Sequence, residues 1–299
     1  MRIFLTGATG YIGGAVLEVL ARAGHQVTAL VRDVRKARAV TKLGATALVG
    51  DIGTPDAWNA KAGGHDGYVH TAFDGSSRGV EIDSVAIPAL VALTQQAGVG
   101  VPLIYTSGVW VLGSTRQPAD ERAPIQPTPL VAWRPGHERA VLDAAVIRPV
   151  VVRPGIVYGG NRGIVGDLFR DGTNGLVRVI GEGRNHWACV YDRDLADLFL
   201  RLLTHREADG VYHATDEADE TPLDIIEALG RNTTHKPDVR HIPLEEARAK
   251  LGPYADALAL DQLVRSPRAR ALGWTPALKS IAGNVPRLLE EWRGERPSE

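Results

Sequence analysis

Residues 6–13 read TGATGYIG, and no other stretch of this 299-residue chain narrows the possible folds as far. The segment follows the apolar run Ile3–Thr6, which reads as a buried strand, and opens the helical pattern Ile12–Ala23, closed by Gly24. A glycine motif set between a strand and a helix is a dinucleotide-binding fingerprint. Gly7 permits the tight turn, Gly10 lets backbone approach a pyrophosphate, and Gly13 lets the helix pack closely on the sheet. The anion then sits at the helix N-terminus, where unpaired N–H groups and the positive end of the macrodipole face it. Thr9, Tyr11 and Ile12 belong to the same turn and are expected against the cofactor.

Short β-rich runs alternate with helical stretches through the first half: strands at His25–Val31, Ala45–Val49, Gly67–Thr71 and Val101–Thr106, helices at Val34–Leu43 and around Val80–Ala97. The strands are apolar on both faces, as a parallel sheet covered by helices requires. The fold class is α/β, a Rossmann-type doubly wound parallel sheet. The Pro-rich stretch from Pro118 to Pro135 reads as a loop over a site. A helix near Gly136–Ala144 and a strand at Val146–Val152 follow. Residues 1–158 form the dinucleotide-binding domain and 159–299 a smaller substrate-binding region, of which about 190–217 returns to the sheet. The last clear element is amphipathic, Leu278–Trp292, with Ile281, Val285, Leu288, Leu289 and Trp292 on one face.

About twenty residues beyond the glycine turn, the second strand normally ends in an acid for a ribose hydroxyl, or in an Arg where a 2′-phosphate is held. Here it ends in Arg32, followed by Asp33, with Arg35 and Lys36 one turn further on. A guanidinium pairs with phosphate where an acid would repel it. This favours NADP(H) over NAD(H), although Asp33 turned inward would reverse the preference. Asp51 can accept from an adenine amino group, or instead cap the next helix. Ile52 can cover the ring. Thr71, Ala72 and Phe73 end the fourth strand at the same sheet edge, where small residues let the cofactor backbone pass.

The formal net charge of −1, with Lys and Arg spread among Asp and Glu, argues against nucleic acid as a partner. One cysteine, Cys189, excludes an internal disulfide and a thiolate metal centre, so no metal is expected. It reads as a small buried residue. No apolar run approaches the roughly 18 residues of a membrane span, and the first residues are too short for a signal peptide. A cytoplasmic location is the default expectation.

TGATGYIG, together with GDI at 50–52, HTAF at 70–73, YTSG at 105–108, RPGIVYG at 153–159 and VYDRDLADLF at 190–199, resembles the extended and atypical short-chain dehydrogenase/reductase family. The resemblance lies with its NAD-dependent epimerase/dehydratase-like branch and covers nearly the whole chain. It implies that Pro154, Gly155, Ile156 and Val157 lie against the nicotinamide, that Thr106 or Ser107 is the hydroxyl residue after the fifth strand, and that a dimer forms through helices flanking the sheet.

The chain departs from that family where a Tyr-x-x-x-Lys pair should stand. The aligned helix start reads WRPGHE, with Trp133 in place of the tyrosine and His137 in place of the lysine. An alkoxide formed by hydride delivery needs a hydrogen-bond donor and then a proton. Trp133 can donate an N–H but not release it; His137 can do both. The expectation is that Ser107 polarises the substrate oxygen while His137, or a water it holds, supplies the proton. Tyr191 is a further candidate donor, and His186 and Trp187 are candidate pocket lining. Tyr158 reads as packing and Glu138 as structural, an acid favoured by its helix dipole.

The function expected is an NAD(P)(H)-dependent reductase or dehydrogenase of a small carbonyl or imine. Two alternatives remain: an epimerase, dehydratase or lyase without net redox, and a cofactor-sensing protein without catalysis.

Overall fold

The computed structural model describes residues 1–294. β1 (Arg2–Thr6) enters α1 (Tyr11–Arg22) through the glycine turn, and β2 (Gln26–Val31), α2 (Val34–Lys42) and β3 (Thr46–Val49) complete one wing. A short α3 (Asn59–Ala62) leads to β4 (Gly67–His70), α4 (Gly79–Ala97), β5 (Pro102–Thr106), α5 (Arg134–Leu142) and β6 (Arg148–Pro154). Then come β7 (Ile156–Tyr158), α6 (Gly163–Thr173), β8 (Leu176–Ile180), β9 (Cys189–Tyr191), α7 (Asp192–Thr204) and β10 (Gly210–Ala214). The chain closes with α8 (Pro222–Arg231), β11 (Asp238–Ile242), α9 (Leu244–Leu251), α10 (Pro253–Leu258), α11 (Pro267–Ala271) and α12 (Val285–Arg293).

Seven strands form one sheet in the order β3-β2-β1-β4-β5-β6-β10, with every neighbouring pair parallel. After β3 the chain returns to pair β4 on the free side of β1. That reversal opens a crevice beyond the carboxyl ends of β1 and β4, where ligands of doubly wound sheets bind.

Side chains alternate across each strand, so both sheet faces need cover. Val16, Leu17 and Leu20 of α1, with Leu195, Leu198, Phe199 and Leu202 of α7, pack on Ile3, Leu5, Val69, Ile104 and Val150. Ile87 and Leu90 of α4 and Val141 of α5 cover the opposite set, Phe4, Tyr68, Tyr105 and Val151. A third cluster joins α6, α8 and α12 around Tyr158, Phe169, Cys189, Tyr191 and Leu288. The β7–β9 and β8–β11 pairs border it.

Two expectations about elements need correction. The helix expected over Leu278–Trp292 starts only at Val285. Leu278 donates its N–H to Asp194, and Ile281 and Ala282 donate theirs to Glu220, so long-range acceptors hold the preceding segment as a loop that ends in a 3-10 turn at Ala282–Asn284. Leu278 and Ile281 are buried in the same cluster all the same. The strand expected from Val146 begins at Arg148, because Val146 takes a left-handed turn at φ 78°. Among the described residues no helix is long and apolar enough to cross a membrane.

Candidate functional site

The glycine turn is built by contact as much as by conformation. Gly7 has φ +77°, and a Cβ on it would lie 2.5 Å from the Ala72 amide nitrogen. A Cβ on Gly13 would collide with the Gly7 carbonyl and the Thr71 hydroxyl. Thr71 Oγ1 in turn donates to the Thr6 carbonyl at 2.8 Å, locking the end of β4 to the end of β1. No side chain caps α1 and no acid stands in its first turn, so the N–H groups that a helix start leaves unpaired are open to an anion.

A cavity of about 670 Å³ lies over this turn. Of the residues expected to hold a dinucleotide, Gly7, Thr9, Gly10, Tyr11, Ile12, Arg32, Ile52, Thr71, Ala72, Phe73, Pro154, Gly155, Ile156 and Val157 line it. Gly13, Asp51 and Thr106 are not among its lining residues. Gly13 acts at the packing contact just described. Asp51 folds back to accept the Gly53 N–H at 2.8 Å, and its carbonyl accepts the Trp58 indole N–H at 2.7 Å. Thr106 is adjacent to the site, with its hydroxyl buried and unpartnered and its carbonyl accepting from Arg134.

At one end of the cavity stand two cations. Arg32 is ion-paired with Asp74 at 3.0 Å, and Lys36 Nζ lies 3.5 Å from Thr9 Oγ1. Asp33 does not turn inward: its carboxylate accepts the Lys36 N–H at 2.9 Å and caps α2. That backbone hydrogen bond, more than the neighbouring cations, lowers the Asp33 pKa.

Ser107 also lines the cavity, as do the apolar Val109, Trp110, Leu130, Val131 and Ile164. Its hydroxyl donates to Glu138 Oε1 at 2.5 Å, and Arg153 reaches both oxygens of the same carboxylate, at 2.9 Å and 2.5 Å. Serine, glutamate and arginine are all buried, at 6%, 2% and 3% exposure. Glu138 is therefore more than a favourable charge near a helix start. Sequence reasoning missed this pairing because β6 and α5 bring together residues fifteen apart. One signal was legible, since Arg153 ends an apolar buried run and a charge there demands a partner.

Trp133 lines the cavity, but its indole N–H is spent on the Leu130 carbonyl at 3.1 Å. It stacks on Phe73 with ring centroids 5.2 Å apart, and Arg134 lies over its ring at 4.4 Å. The residue is placed as an aromatic wall rather than a donor. His137 stays outside the lining. Its Nδ1 bonds Asp83 Oδ2 at 3.0 Å, while His70 takes the other oxygen at 2.8 Å and Tyr105 also donates to Asp83. Burial works against ionisation of Asp83, but the hydrogen bonds from His137 and His70 outweigh it and hold this carboxyl well below the usual range.

The structure does not bring Tyr191, His186 or Trp187 to the cavity. Tyr191 pairs with Tyr158 in the β7–β9 register and points with it into the third cluster, where its hydroxyl donates to Glu291 at 2.8 Å. Burial raises its pKa. Trp187 is 8% exposed, with its N–H on the Leu258 carbonyl. His186 pairs with Asp261 at 2.8 Å. Closeness in sequence misled here, because Tyr191 faces the third cluster while His186 and Trp187, which precede β9, are tied to Asp261 and Leu258.

Comparison with known proteins agrees with this geometry. The profile of a family described as NAD(P)H-binding matches residues 7–205. An uncharacterized protein of Schizosaccharomyces pombe, C2A9.02, is 31% identical over 290 residues, spanning 94% of this chain and 97% of the relative. A Stigmatella aurantiaca protein named 4-hydroxy-2-methyl-3-oxo-4-farnesyl-3,4-dihydroquinoline-1-oxide ketoreductase is 25% identical over 261 residues, spanning 83% and 78%. The crystal structure of human epimerase family protein SDR39U1 (isoform 2) with NADPH superposes with a TM-score of 0.80 at 21% identity, over 97% of this chain and 99% of that one. The chain belongs to the NAD(P)H-binding family, and its fold is that of epimerase-family structures.

Proposed function

We propose that this chain is an NADP(H)-dependent oxidoreductase that interconverts a small carbonyl or imine compound with its reduced form. The observation that carries the reading is the continuity of one cavity from Arg32 and Lys36 to Ser107. Its cradle suits a dinucleotide: Gly7 and Gly13 leave no room for a Cβ, and the uncapped start of α1 suits a pyrophosphate. Arg32 and Lys36 would hold a 2′-phosphate, Ile52 would cover the adenine, and Pro154–Val157 would lie against the nicotinamide. Asp33, the acid that would prefer a free ribose hydroxyl, is committed to its helix cap. The bound cofactor supplies or accepts a hydride.

The chain's own side chains orient the substrate. Trp110, Leu130, Val131 and Trp133 offer it an apolar wall that excludes water, and Ser107 is the hydroxyl set into that wall. The NADPH in the human relative's structure and the ketoreductase name of the Stigmatella relative support the same reading.

The test has two parts. NADPH and NADH are titrated by fluorescence, with tighter NADPH binding expected. A panel of apolar ketones, aldehydes and imines is then followed by the loss of NADPH absorbance. Tighter NADH binding would overturn the cofactor assignment. Product formed without net cofactor turnover would overturn the redox reading in favour of an isomerase or lyase, and tight binding with no chemistry in favour of a sensor.

A further inference from the structure

The polarity of the Ser107 hydroxyl is decided behind the cavity wall. A serine has one proton to give and two lone pairs. Arg153 has donors only, so both Glu138 oxygens that face it accept, and the Ser107 proton goes to that same carboxylate. The bidentate guanidinium pair holds the carboxylate in place as an acceptor. What Ser107 then turns toward the cavity is lone pairs.

Several nearby donors are also engaged, although the Thr106 hydroxyl beside Ser107 has no partner. The Trp133 N–H is on the Leu130 carbonyl, the Tyr105 hydroxyl is on Asp83, and Arg134 spreads over the Phe73 and Trp133 rings with Nη1 on the Thr106 carbonyl. A ketone oxygen is an acceptor meeting an acceptor. An alcohol or amine brings the proton that Ser107 itself does not offer.

We infer that Ser107 binds substrate as a hydrogen-bond acceptor, with Glu138 as its proton store, so that the site selects an apolar secondary alcohol or amine over the corresponding carbonyl or imine. The inference rests on the redox reading above and assigns its direction. In alcohol oxidation the substrate O–H bond breaks and its proton joins Ser107 Oγ, while the serine proton moves to Glu138 Oε1. The O–H electron pair becomes the second C–O bond, and a bound oxidised nicotinamide would accept the hydride that the carbinol carbon gives up. Arg153 is a positioning residue, holding the carboxylate where it can take that proton.

The test uses two probes that cannot react in the presence of NADP⁺: 2-phenyl-2-propanol, a tertiary alcohol with no hydride to give, and acetophenone. Dissociation constants are measured by calorimetry on protein saturated with NADP⁺. The alcohol is expected to bind about fivefold tighter, the factor one net hydrogen bond supplies, and Ser107→Ala should bring the ratio to about one. Equal or tighter ketone binding, or a ratio that survives Ser107→Ala, overturns the inference. Infrared difference spectra of wild type against Ser107→Ala give a readout that needs no probe. A perturbed carboxylate stretch supports Ser107 as donor to an ionised Glu138, and a perturbed protonated-carboxyl stretch overturns it. Glu138→Gln serves as the second variant, removing whichever band belongs to that residue. Failure of NADP⁺ to bind in the same titrations would sink the functional reading instead, leaving the spectra to decide the polarity alone.

Discussion

Replacing Glu138 by Leu leaves the Arg153 guanidinium, 3% exposed, with no counter-charge inside the protein. Removing one partner of a buried ion pair costs about 3–5 kcal/mol, because the other charge stays desolvated and unpaired. Against a typical total stability of about 5–15 kcal/mol, that is a large fraction. Arg153→Leu should cost a similar amount, stranding a carboxylate that is 2% exposed. The double variant removes both charges, and the desolvation penalty goes with them. What remains is the Ser107 hydroxyl without its acceptor, about 1–3 kcal/mol. The double variant should therefore be more stable than either single one, with a favourable coupling energy above about 2 kcal/mol in a double-mutant cycle. Urea unfolding of the four proteins, followed by circular dichroism at fixed pH, measures each term. Single costs below about 1 kcal/mol, or costs that simply add, would refute the view that the pair is bound as a charge couple.

Arg32→Ala should weaken NADPH binding about tenfold and leave NADH nearly unchanged, a modest factor because the side chain is 55% exposed and its charge partly screened. In the same fluorescence titration Asp74→Asn should tighten NADPH, since it frees Arg32 and removes an anion from the cavity edge; no change in the NADPH-to-NADH ratio in either variant would refute the phosphate role. Asp216 supplies a pH-dependent test: burial raises its pKa to about 7, and one carboxylate oxygen has no partner. Folded, it keeps a proton that the unfolded chain releases near pH 4, so its contribution is complete below pH 4 and is lost as pH rises toward 7. Asp216→Asn, which mimics the protonated form, should raise stability at pH 8 by roughly 2–4 kcal/mol and change little at pH 4; denaturant midpoints at the two pH values check this, and an equal effect at both would refute it. Gly13→Ala should abolish NADPH binding, because the added methyl forces the turn off the Gly7 carbonyl and Thr71; retained affinity in the titration would show that the turn can relax.

Short-range chemistry was legible in the sequence. Strand runs apolar on both faces, glycines with a conformational task and a helix start free of acid are local properties, and they yield the parallel sheet, the turn and many of the residues that line the cavity. Arg32 was legible in the same way, because its distance from the turn is set by one helix and one strand. Tertiary structure decided the rest, for a physical reason: a hydrogen bond is allocated between residues that only the fold brings together. Whether Asp33 turns inward or caps α2 depends on which N–H it meets. Trp133 and His137 were read as donors from their residue types, yet the Trp133 N–H is on Leu130, His137 Nδ1 is on Asp83, and His137 stays outside the cavity lining. Glu138 looked like a helix-start acid until β6 set Arg153 against it, and that contact, absent from any local pattern, determines what Ser107 can offer to the cavity.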